Sequence, residues 1–152
     1  MELENYLKEK KIWYRFIEKT ETIHTADAAK AAGLELNRLT KNLVSKTDSG
    51  EYVLLIVSGD KKVNLEQVAL ILKAKKVRLI PFDQSEQVSG YLPGATPSIG
   101  HKMKMRTVMD KSLMKYDTIY CGGGTRERLL ELKTNDILSL SDAMIADISI
   151  NS

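Results

Sequence analysis

Apolar and polar residues follow two different periodicities along the chain, one typical of strands and one typical of helices. The segment with the clearest pattern predicts a β-hairpin. Residues 39–60, LTKNLVSKTDSGEYVLLIVSGD, contain two apolar runs joined by the turn sequence TDSG. Strand-forming residues on both sides of a short, Gly-containing turn are typical of two antiparallel strands. We therefore predict a hairpin near the centre of the chain.

Apolar positions spaced by three or four residues predict helices elsewhere. In the segment HTADAAKAAG, Thr25 is placed to cap the first turn and Gly33 to end the last one. In the segment NLEQVALILK, Asn64 and Gln67 form a capping-box pattern ahead of an apolar face. Further helices are predicted for residues 1–11, 83–90 and 134–144.

The remaining segments predict strands, and the element order sets the fold class. Residues rich in β-branched, aromatic or alternating side chains occur at 12–19, 75–82, 103–110 and 117–123. Residues 126–133 fit either type, and a strand is favoured because TND starts a better-capped helix directly afterwards. Interspersed hairpins and helices predict an α+β domain around a mostly antiparallel or mixed sheet, in preference to a doubly wound parallel sheet.

The composition is that of one globular domain spanning residues 1–152. Apolar residues make up 43% and charged residues 28%. The longest apolar run, Val53–Val57, is far shorter than the ~20 residues of a membrane helix, and residues 1–11 lack a signal-peptide core. We therefore expect a cytoplasmic protein. Cys121, His24 and His101 are too few for a closed zinc site, so neither a metal nor a cofactor is expected.

Positive charge is concentrated in two clusters, although the net charge is only +3. The first cluster comprises Lys73, Lys75, Lys76 and Arg78, and the second comprises Lys102, Lys104 and Arg106 with His101 at its start. Such clusters suit a polyanionic partner, and they are about equally common as ordinary solvated surface. The charge pattern alone leaves both interpretations open.

Glycine and proline are concentrated in residues 90–102, GYLPGATPSIGHK, which we call the Gly/Pro loop. Bare N–H groups at glycines can cradle a carbonyl oxygen, an oxyanion or a phosphate, and a tight connection between two elements is the alternative. The sequence CGGG at residues 121–124 lacks the spacing of a nucleotide-binding P-loop. A close backbone contact at a strand end is its favoured interpretation, unless another loop meets it in space.

Two single residues are candidates for chemistry. Lys41 shares an apolar strand face with Leu39 and Leu43, so its ammonium either extends to the sheet edge or points into a pocket as a fixed positive charge. His24, directly ahead of a helix, is a candidate general base. Without a nearby Ser or Cys nucleophile motif, a capping or packing role is more common for such a histidine.

Five segments, taken together, resemble one known family. They are HTADAAKAAGLELNRLTKNLV, YVLLIVSGDKKVNLEQVALIL, SGYLPGATPSIGHK, TVMDKSLMKYDTIYCGGG and LLELKTNDILSL, in that order. Their order and spacing resemble the YbaK-like, or prolyl-tRNA-synthetase-associated, domain. The resemblance implies a mixed, barrel-like β-sheet flanked by helices, and a free-standing enzyme that hydrolyses mischarged aminoacyl-tRNAs.

The resemblance also implies a set of site residues. The family's hallmark lysine matches Lys41, and the adjacent Asn42 resembles the members that remove alanine. The family's Gly-rich loop matches Gly94 to Gly100, with Ser98 where the family generally has proline. The implied catalytic residues are Lys41, Gly94 and Gly100. The implied substrate-binding residues are His24, Asn42, Thr96, Pro97, Ser98, Ile99, Asp110, Gly122 and Gly123. The expected RNA-binding residues come from the two basic clusters and are Lys73, Lys75, Lys76, Arg78, His101, Lys102 and Lys104.

These residues predict a deacylase for tRNA that carries a small amino acid of the Ala, Cys, Ser or Thr type. The substrate is an activated ester, so the site needs to position the terminal adenosine and a water and to stabilise an oxyanion. We expect Lys41 to supply positive charge and the backbone N–H groups of the two Gly-containing loops to polarise the carbonyl. The expected partners are the 3′ acceptor end of tRNA and an aminoacyl-tRNA synthetase. A non-catalytic RNA- or synthetase-binding module and a small-molecule esterase are the alternatives.

Overall fold

The computed structural model describes residues 2–151, and within this range short helices alternate with β-strands. The helices are α1 (Leu3–Lys10), α2 (Thr25–Ala32), α3 (Leu65–Leu72), α4 (Phe82–Ser89) and α5 (Thr134–Ser141). The strands are β1 (Tyr14–Glu18), β2 (Thr40–Thr47), β3 (Tyr52–Ser58), β4 (Lys61–Val63), β5 (Val77–Leu79), β6 (Arg106–Asp110), β7 (Thr118–Gly122), β8 (Arg128–Lys133), β9 (Met144–Ala146) and β10 (Ser149–Asn151). No helix between residues 2 and 151 has both the length and the apolar character needed to cross a membrane.

The largest sheet has the strand order β5-β2-β3-β6-β9 and mixed strand directions. Its centre is the predicted hairpin, in which β2 and β3 are antiparallel and Lys41 lies opposite Val57. β5 pairs antiparallel with β2, whereas β6 and β9 are added in parallel on the other side. A parallel neighbour requires a crossover connection. The chain between β3 and β6, which includes α3, β5, α4 and the Gly/Pro loop, provides this crossover.

Two smaller antiparallel sheets, β1-β8-β7 and β4-β10, complete the mixed α+β fold. Residues 126–133, which fit either type in the sequence, contain β8, so the favoured strand is confirmed. The two larger sheets meet at an isolated bridge between Leu39 and Tyr120. A single bridge instead of a continuous ladder joins them, so the sheets are open within the described residues. The predicted mixed α+β fold is thus confirmed, with sheets that are not closed into a barrel.

β3 forms the centre of the core. Residues Val53–Val57 are all 0% exposed, because both faces of the large sheet are covered. Leu54 and Ile56 face the cluster that includes α1 and the β1-β8-β7 sheet, whereas the odd-numbered side chains pack against α3. A strand that is buried on both faces shows no apolar-polar alternation. This arrangement explains the unbroken apolar run in the sequence.

The helix ends follow most of the predicted caps. Asn64 Oδ1 accepts a hydrogen bond from the Gln67 backbone N–H at 3.1 Å, which confirms the cap of α3. Gly33 ends α2 with a φ of +68°, as predicted. The predicted Thr25 cap is wrong: Thr25 is already the first helical residue, and the N-cap residue is His24, whose side chain makes no capping bond.

Candidate active site

A cavity of about 400 Å³ lies where the two larger sheets meet. It exists because β5 pairs only with Ser45–Thr47 of β2 and ends at Leu79, which leaves the start of β2 open on that side. The first turn of α2, the start of α4, the end of β7 and the Gly/Pro loop surround this open edge. The predicted site residues that line the cavity are His24, Lys41, Asn42, Gly94, Thr96 and Gly122.

Lys41 is held at the cavity by a backbone carbonyl. Its Nζ donates to the carbonyl oxygen of Lys61 at 2.6 Å. Burial lowers the pKa of Lys41, Asp60 opposes this change, and Lys62 adds to it. A lysine ammonium carries three donors, and the carbonyl of Lys61 occupies only one of them. Lys41 is thus a fixed positive charge beside the cavity.

Asn42 lies on the opposite face of β2 and takes part in a chain of hydrogen bonds. Ser98 Oγ donates to Asn42 Oδ1 at 2.6 Å, and Asn42 Nδ2 donates to Thr40 Oγ1 at 2.9 Å. Thr40 Oγ1 in turn donates to the carbonyl oxygen of Tyr120 at 3.2 Å. This chain ties the Gly/Pro loop to β2 and β7, with the Asn42 carboxamide in its middle.

The first turn of α2 opens onto the same space. His24, Thr25 and Ala26 all line the cavity, and the His24 side chain makes no capping bond. The first N–H groups of a helix have no acceptor within the helix and carry the positive end of its dipole. This turn therefore presents N–H donors and partial positive charge to the cavity that Lys41 also borders.

The Gly/Pro loop and the CGGG segment are in direct backbone contact. The Gly122 N–H donates to the carbonyl of Thr96 at 3.2 Å, and the Gly124 N–H donates to the carbonyl of Ala95 at 2.9 Å. The exception named for CGGG therefore applies: another loop meets this segment in space, through backbone hydrogen bonds at the end of β7.

These contacts correct one part of the expected mechanism. The Gly123 N–H donates to the carbonyl of Arg128 at 3.2 Å, as the Gly122 N–H does to the Gly/Pro loop. Both N–H groups are thus used inside the protein, and the expectation that they polarise a substrate carbonyl is wrong. Gly94 has a φ of +87° and packs so closely on Ile23 that a Cβ would lie 2.7 Å from the Ile23 carbonyl oxygen. Gly94 therefore allows the loop to form a wall of the cavity.

A comparison with protein families bears directly on this cavity. Residues 18–140 match the family described as the aminoacyl-tRNA editing domain. The chain belongs to this family. The resemblance seen in the sequence is thus confirmed, and with it the assignment of the protein as a hydrolase of aminoacyl-tRNA esters.

Similar proteins cover most of this editing domain. The chain is 26% identical over 136 residues to EbsC of Enterococcus faecalis, provisionally named a Cys-tRNA(Pro)/Cys-tRNA(Cys) deacylase, covering 90% of this chain and 83% of that one. It is 26% identical over 113 residues to the multifunctional Ser/Thr-tRNA deacylase ProXp-y of Escherichia coli K12, covering 72% and 68%. The crystal structure of a provisionally assigned trans-editing enzyme for prolyl-tRNA synthetase superposes with a TM-score of 0.86 at 23% identity, covering 99% and 96%. That structural likeness shows a shared fold.

Several residues predicted for the site of the editing domain lie behind the cavity wall. Pro97, Ser98 and Ile99 are buried and are not among the lining residues. The carbonyl of Gly100, also outside the lining, accepts a hydrogen bond from the Tyr91 hydroxyl at 2.7 Å. Burial raises the pKa of Tyr91 to about 12, so this hydroxyl keeps its proton. These residues support the wall from within the loop.

His101, expected on the RNA-facing rim, closes the Gly/Pro loop. Its Nε2 lies 2.7 Å from the carbonyl oxygen of Pro97, and its ring packs edge-on against Tyr91. Burial lowers the pKa of His101, while the Pro97 carbonyl opposes this change. The neutral imidazole is therefore the form that suits the folded loop.

This environment predicts that acid destabilises the editing domain through His101. The unfolded chain binds the proton more readily, so the free energy of unfolding falls as the pH drops below the ordinary histidine value of ~6.5 towards the lowered folded-state pKa. Urea denaturation of the wild type and of His101→Gln at pH 5 to 8 checks this, since glutamine keeps an N–H donor without a charge change. An equal slope of stability against pH in both proteins would contradict it.

Asp110, expected to bind substrate, lies outside the cavity lining and is 1% exposed. Its Oδ1 accepts from the Ile148 N–H at 2.9 Å, and its Oδ2 accepts from the Ser149 hydroxyl at 3.0 Å and from the backbone N–H and hydroxyl of Ser112. The carboxylate thus joins the end of β6 to the segment between β9 and β10. The structure gives it a structural position away from the cavity.

Cys121 lines the cavity but is 1% exposed. Burial raises the pKa of its thiol to about 11, although hydrogen bonds with Ser98 act in the opposite direction. The thiol is therefore almost fully protonated at neutral pH and does not act as a nucleophile. Within residues 2–151, no three His, Cys, Asp or Glu side chains are grouped so that they could hold a metal ion.

Some lining residues were missed by the sequence reasoning. Thr40 and Tyr120 belong to the hydrogen-bond chain of Asn42, and Ile23, Leu79 and Phe82 form an apolar rim that is 38 to 58% exposed. Thr40 could have been found from the two-residue alternation that places it on the face of Asn42. Pro81 is the local signal for the end of β5, which ends at Leu79, but the exposure of the rim there depends on how the sheet and α4 pack.

The basic clusters lie on different sides of the Gly/Pro loop. Arg78 is exposed at the end of β5 that borders the cavity, and Lys102 and Lys104 are exposed just beyond the loop. Arg106 differs, because its guanidinium pairs with Glu51 at 3.1 Å. Lys75 and Lys76 lie beside the hairpin turn, at the far end of β2 from the cavity. The role of both clusters in RNA binding stays a prediction.

Proposed function

We propose that this editing domain acts in trans on the 3′ acceptor end of tRNA and removes a small amino acid, Ala, Cys, Ser or Thr, that was attached in error. The observation that carries the proposal is the convergence of Lys41, Asn42 and the first turn of α2 on one cavity of about 400 Å³. This convergence occurs in a chain that belongs to the editing family.

The chemistry needs charge stabilisation more than a protein nucleophile. A water attacks the carbonyl carbon of the aminoacyl ester, the bond to the ribose oxygen breaks, and free amino acid and uncharged tRNA leave. Negative charge develops on the carbonyl oxygen, and the tRNA brings the charge of its terminal phosphate. Lys41 and the N–H groups at the start of α2 are the positively polarised groups at the cavity, so they are the groups we expect to hold these oxygens.

The size of the cavity supports a small aminoacyl group. About 400 Å³ lies near the lower end of the roughly 300 to 1,000 Å³ that is usual for ligand sites. The terminal nucleoside has to share this space with the amino acid. The relatives named for Cys-tRNA and for Ser/Thr-tRNA agree with a small side chain. Steric exclusion of larger side chains then protects correctly charged tRNA.

The rim of the cavity supports an RNA substrate over a free ester. Phe82 is 58% exposed at the start of α4, and Leu79 and Ile23 beside the cavity are 38% and 42% exposed. Exposed apolar side chains at the mouth of the cavity suit the faces of nucleobases. Arg78 next to this rim suits the backbone phosphates. A synthetase for the same tRNA is the second partner that we propose, in line with the solved trans-editing enzyme of shared fold.

The test is a deacylation panel under multiple-turnover conditions. Purified tRNAs charged with radiolabelled Ala, Cys, Ser or Thr, and correctly charged Pro-tRNA, are incubated with the wild-type protein. We expect at least one of the four small amino acids to be released at many turnovers per enzyme and proline to be retained. The rate constant at increasing salt is the second readout. Salt weakens binding that depends on phosphate contacts, and the logarithm of the binding constant falls against the logarithm of the salt concentration by about 0.7 to 0.9 per contact.

The controls separate the alternatives. Each amino acid is also offered as its ester on adenosine alone. Equal rates on the adenosine ester and on the tRNA would identify a small-molecule esterase, and salt-dependent tRNA binding without any hydrolysis would identify a binding module. Either result would overturn the proposal.

A further inference from the structure

We propose that Ser98 is a positioning residue that fixes the orientation of the Asn42 carboxamide and thereby sets which amino acids the site accepts. This inference rests on the proposed function. It concerns the residue of the Gly/Pro loop whose hydroxyl donates to Asn42. The structure shows what the serine hydroxyl does there.

The hydrogen-bond chain has a fixed direction. At its end is the carbonyl oxygen of Tyr120, which only accepts, so the Thr40 hydroxyl donates its one proton there. Thr40 Oγ1 must then accept from the neighbouring Asn42, which places Nδ2 on that side at 2.9 Å. The amide oxygen consequently faces Ser98 and accepts its hydroxyl proton at 2.6 Å. The direction of each hydrogen bond in this series is therefore set by the carbonyl oxygen of Tyr120.

This arrangement leaves defined groups for a ligand. A carboxamide has two N–H donors and an oxygen with two lone pairs, and Thr40 and Ser98 use one of each. The second N–H and the second lone pair of Asn42 remain, on a side chain that lines the cavity. They match a carbonyl or hydroxyl oxygen and an ammonium group of an aminoacyl ester. The Thr40 bond sets which way the amide faces, and the Ser98 bond keeps it there. Without the Ser98 hydroxyl, a single hydrogen bond to Thr40 is all that holds the carboxamide in this orientation.

The geometry excludes a nucleophilic role for Ser98. Its side chain is 0% exposed, and its hydroxyl proton is donated to an amide oxygen, which is not a base. Ser98 therefore acts through Asn42. A purely structural role, in which the bond only holds the loop, predicts lost stability with unchanged selectivity among the four amino acids, so selectivity is measured together with a double-mutant cycle.

The test is this cycle, measured as kcat/KM on tRNAs charged with Ala, Cys, Ser and Thr. Ser98→Ala is expected to lower kcat/KM on the preferred substrate about tenfold, the factor that one neutral hydrogen bond contributes, and to narrow the differences among the four amino acids. In the Asn42→Ala background, the same change is expected to have no further effect. A full tenfold loss in that background would overturn the proposal.

The matched control is Ser45→Ala. Ser45 is also 0% exposed, and its hydroxyl donates to the carbonyl of Val53 at 2.8 Å on β3, away from the cavity. We expect this variant to lower the Tm while leaving the selectivity among the four amino acids unchanged. An equal change of selectivity in Ser45→Ala would show that the Ser98 effect is a general consequence of lost stability, and would overturn the proposal.

A second measurement does not depend on turnover. The side-chain amide signals of Asn42 in a ¹⁵N-correlation spectrum are expected as one pair in the wild type, and as a shifted or broadened pair in Ser98→Ala. Unchanged signals would overturn the positioning role. If the wild type released no amino acid from any tRNA, the proposed function would fail, whereas this spectrum would still decide the role of Ser98.

Discussion

Replacement of Lys41 by alanine is expected to lower kcat/KM for deacylation of the preferred mischarged tRNA by about 100-fold or more, the usual effect of removing one group that stabilises an oxyanion. The ammonium is tied to the Lys61 carbonyl at 2.6 Å, so it is positioned before the substrate arrives. Little reorganisation is then required as charge develops, and that is why a fixed cation contributes more than a mobile one. Single-turnover kinetics at saturating enzyme separate the chemical step from tRNA binding.

The matched control is Lys46→Ala. Lys46 is on the same strand, but its ammonium lies 5.1 Å from the centre of the Tyr52 ring and the residue does not line the cavity. The substitution removes the same positive charge as Lys41→Ala. We expect kcat/KM for deacylation to change by less than about threefold, the small effect of a charge away from the reacting groups. Equal losses in the two variants would assign the Lys41 effect to overall charge and contradict its place at the reacting ester.

Replacement of Gly122 by alanine is expected to lower the free energy of unfolding by about 3 kcal/mol and to abolish most deacylation. A Cβ at this position would lie 2.4 Å from the carbonyl carbon of Ala95 and 2.5 Å from the carbonyl oxygen of Thr96. Both atoms belong to the backbone, so no rotamer change relieves the contact. The Gly/Pro loop has to move away from β7, and the cavity wall moves with it. Urea denaturation and the deacylation assay measure the two effects.

Gly50→Ala is the comparison for this prediction. Gly50 is in the turn of the hairpin with a φ of +92°, and a Cβ there meets no atom within 4 Å. Its replacement therefore costs only the strain of a positive φ, about 1 kcal/mol, with no effect on deacylation. A Gly122 variant that is as stable and active as the Gly50 variant would show that the loop contact does not support the site.

The elements that were predicted correctly are those whose signals are local. The hairpin, the cap of α3 at Asn64 and the end of α2 at Gly33 each depend on residues within a few positions of one another. The strand at residues 126–133 was favoured for the same reason, because the following helix begins so clearly. Such signals do not specify how sheets meet, so the open arrangement could not be distinguished from a barrel.

The predictions for the site also differ according to whether they depend on local sequence or on contacts between distant segments. The resemblance gave Lys41 and Asn42, and the structure brings both to the cavity. The N–H groups of Gly122 and Gly123 were misjudged, because their acceptors belong to segments distant in sequence or folded back across a turn. Asp110 was misjudged because its partners Ile148 and Ser149 are almost forty residues away. The sequence motif thus identified residues near the cavity. Which of their polar groups are available to a substrate depends on hydrogen bonds that only the folded structure shows.

The early end of β5 has a consequence for how such a domain can change over time. The cavity is a gap at the edge of a sheet and does not interrupt the packed core around β3. Its rim side chains Ile23, Leu79 and Phe82 are 38 to 58% exposed, so a substitution there can reshape the mouth while the packed Gly/Pro loop and β7 stay in place. Substrate preference is therefore open to stepwise change in this architecture without a corresponding loss of folding stability.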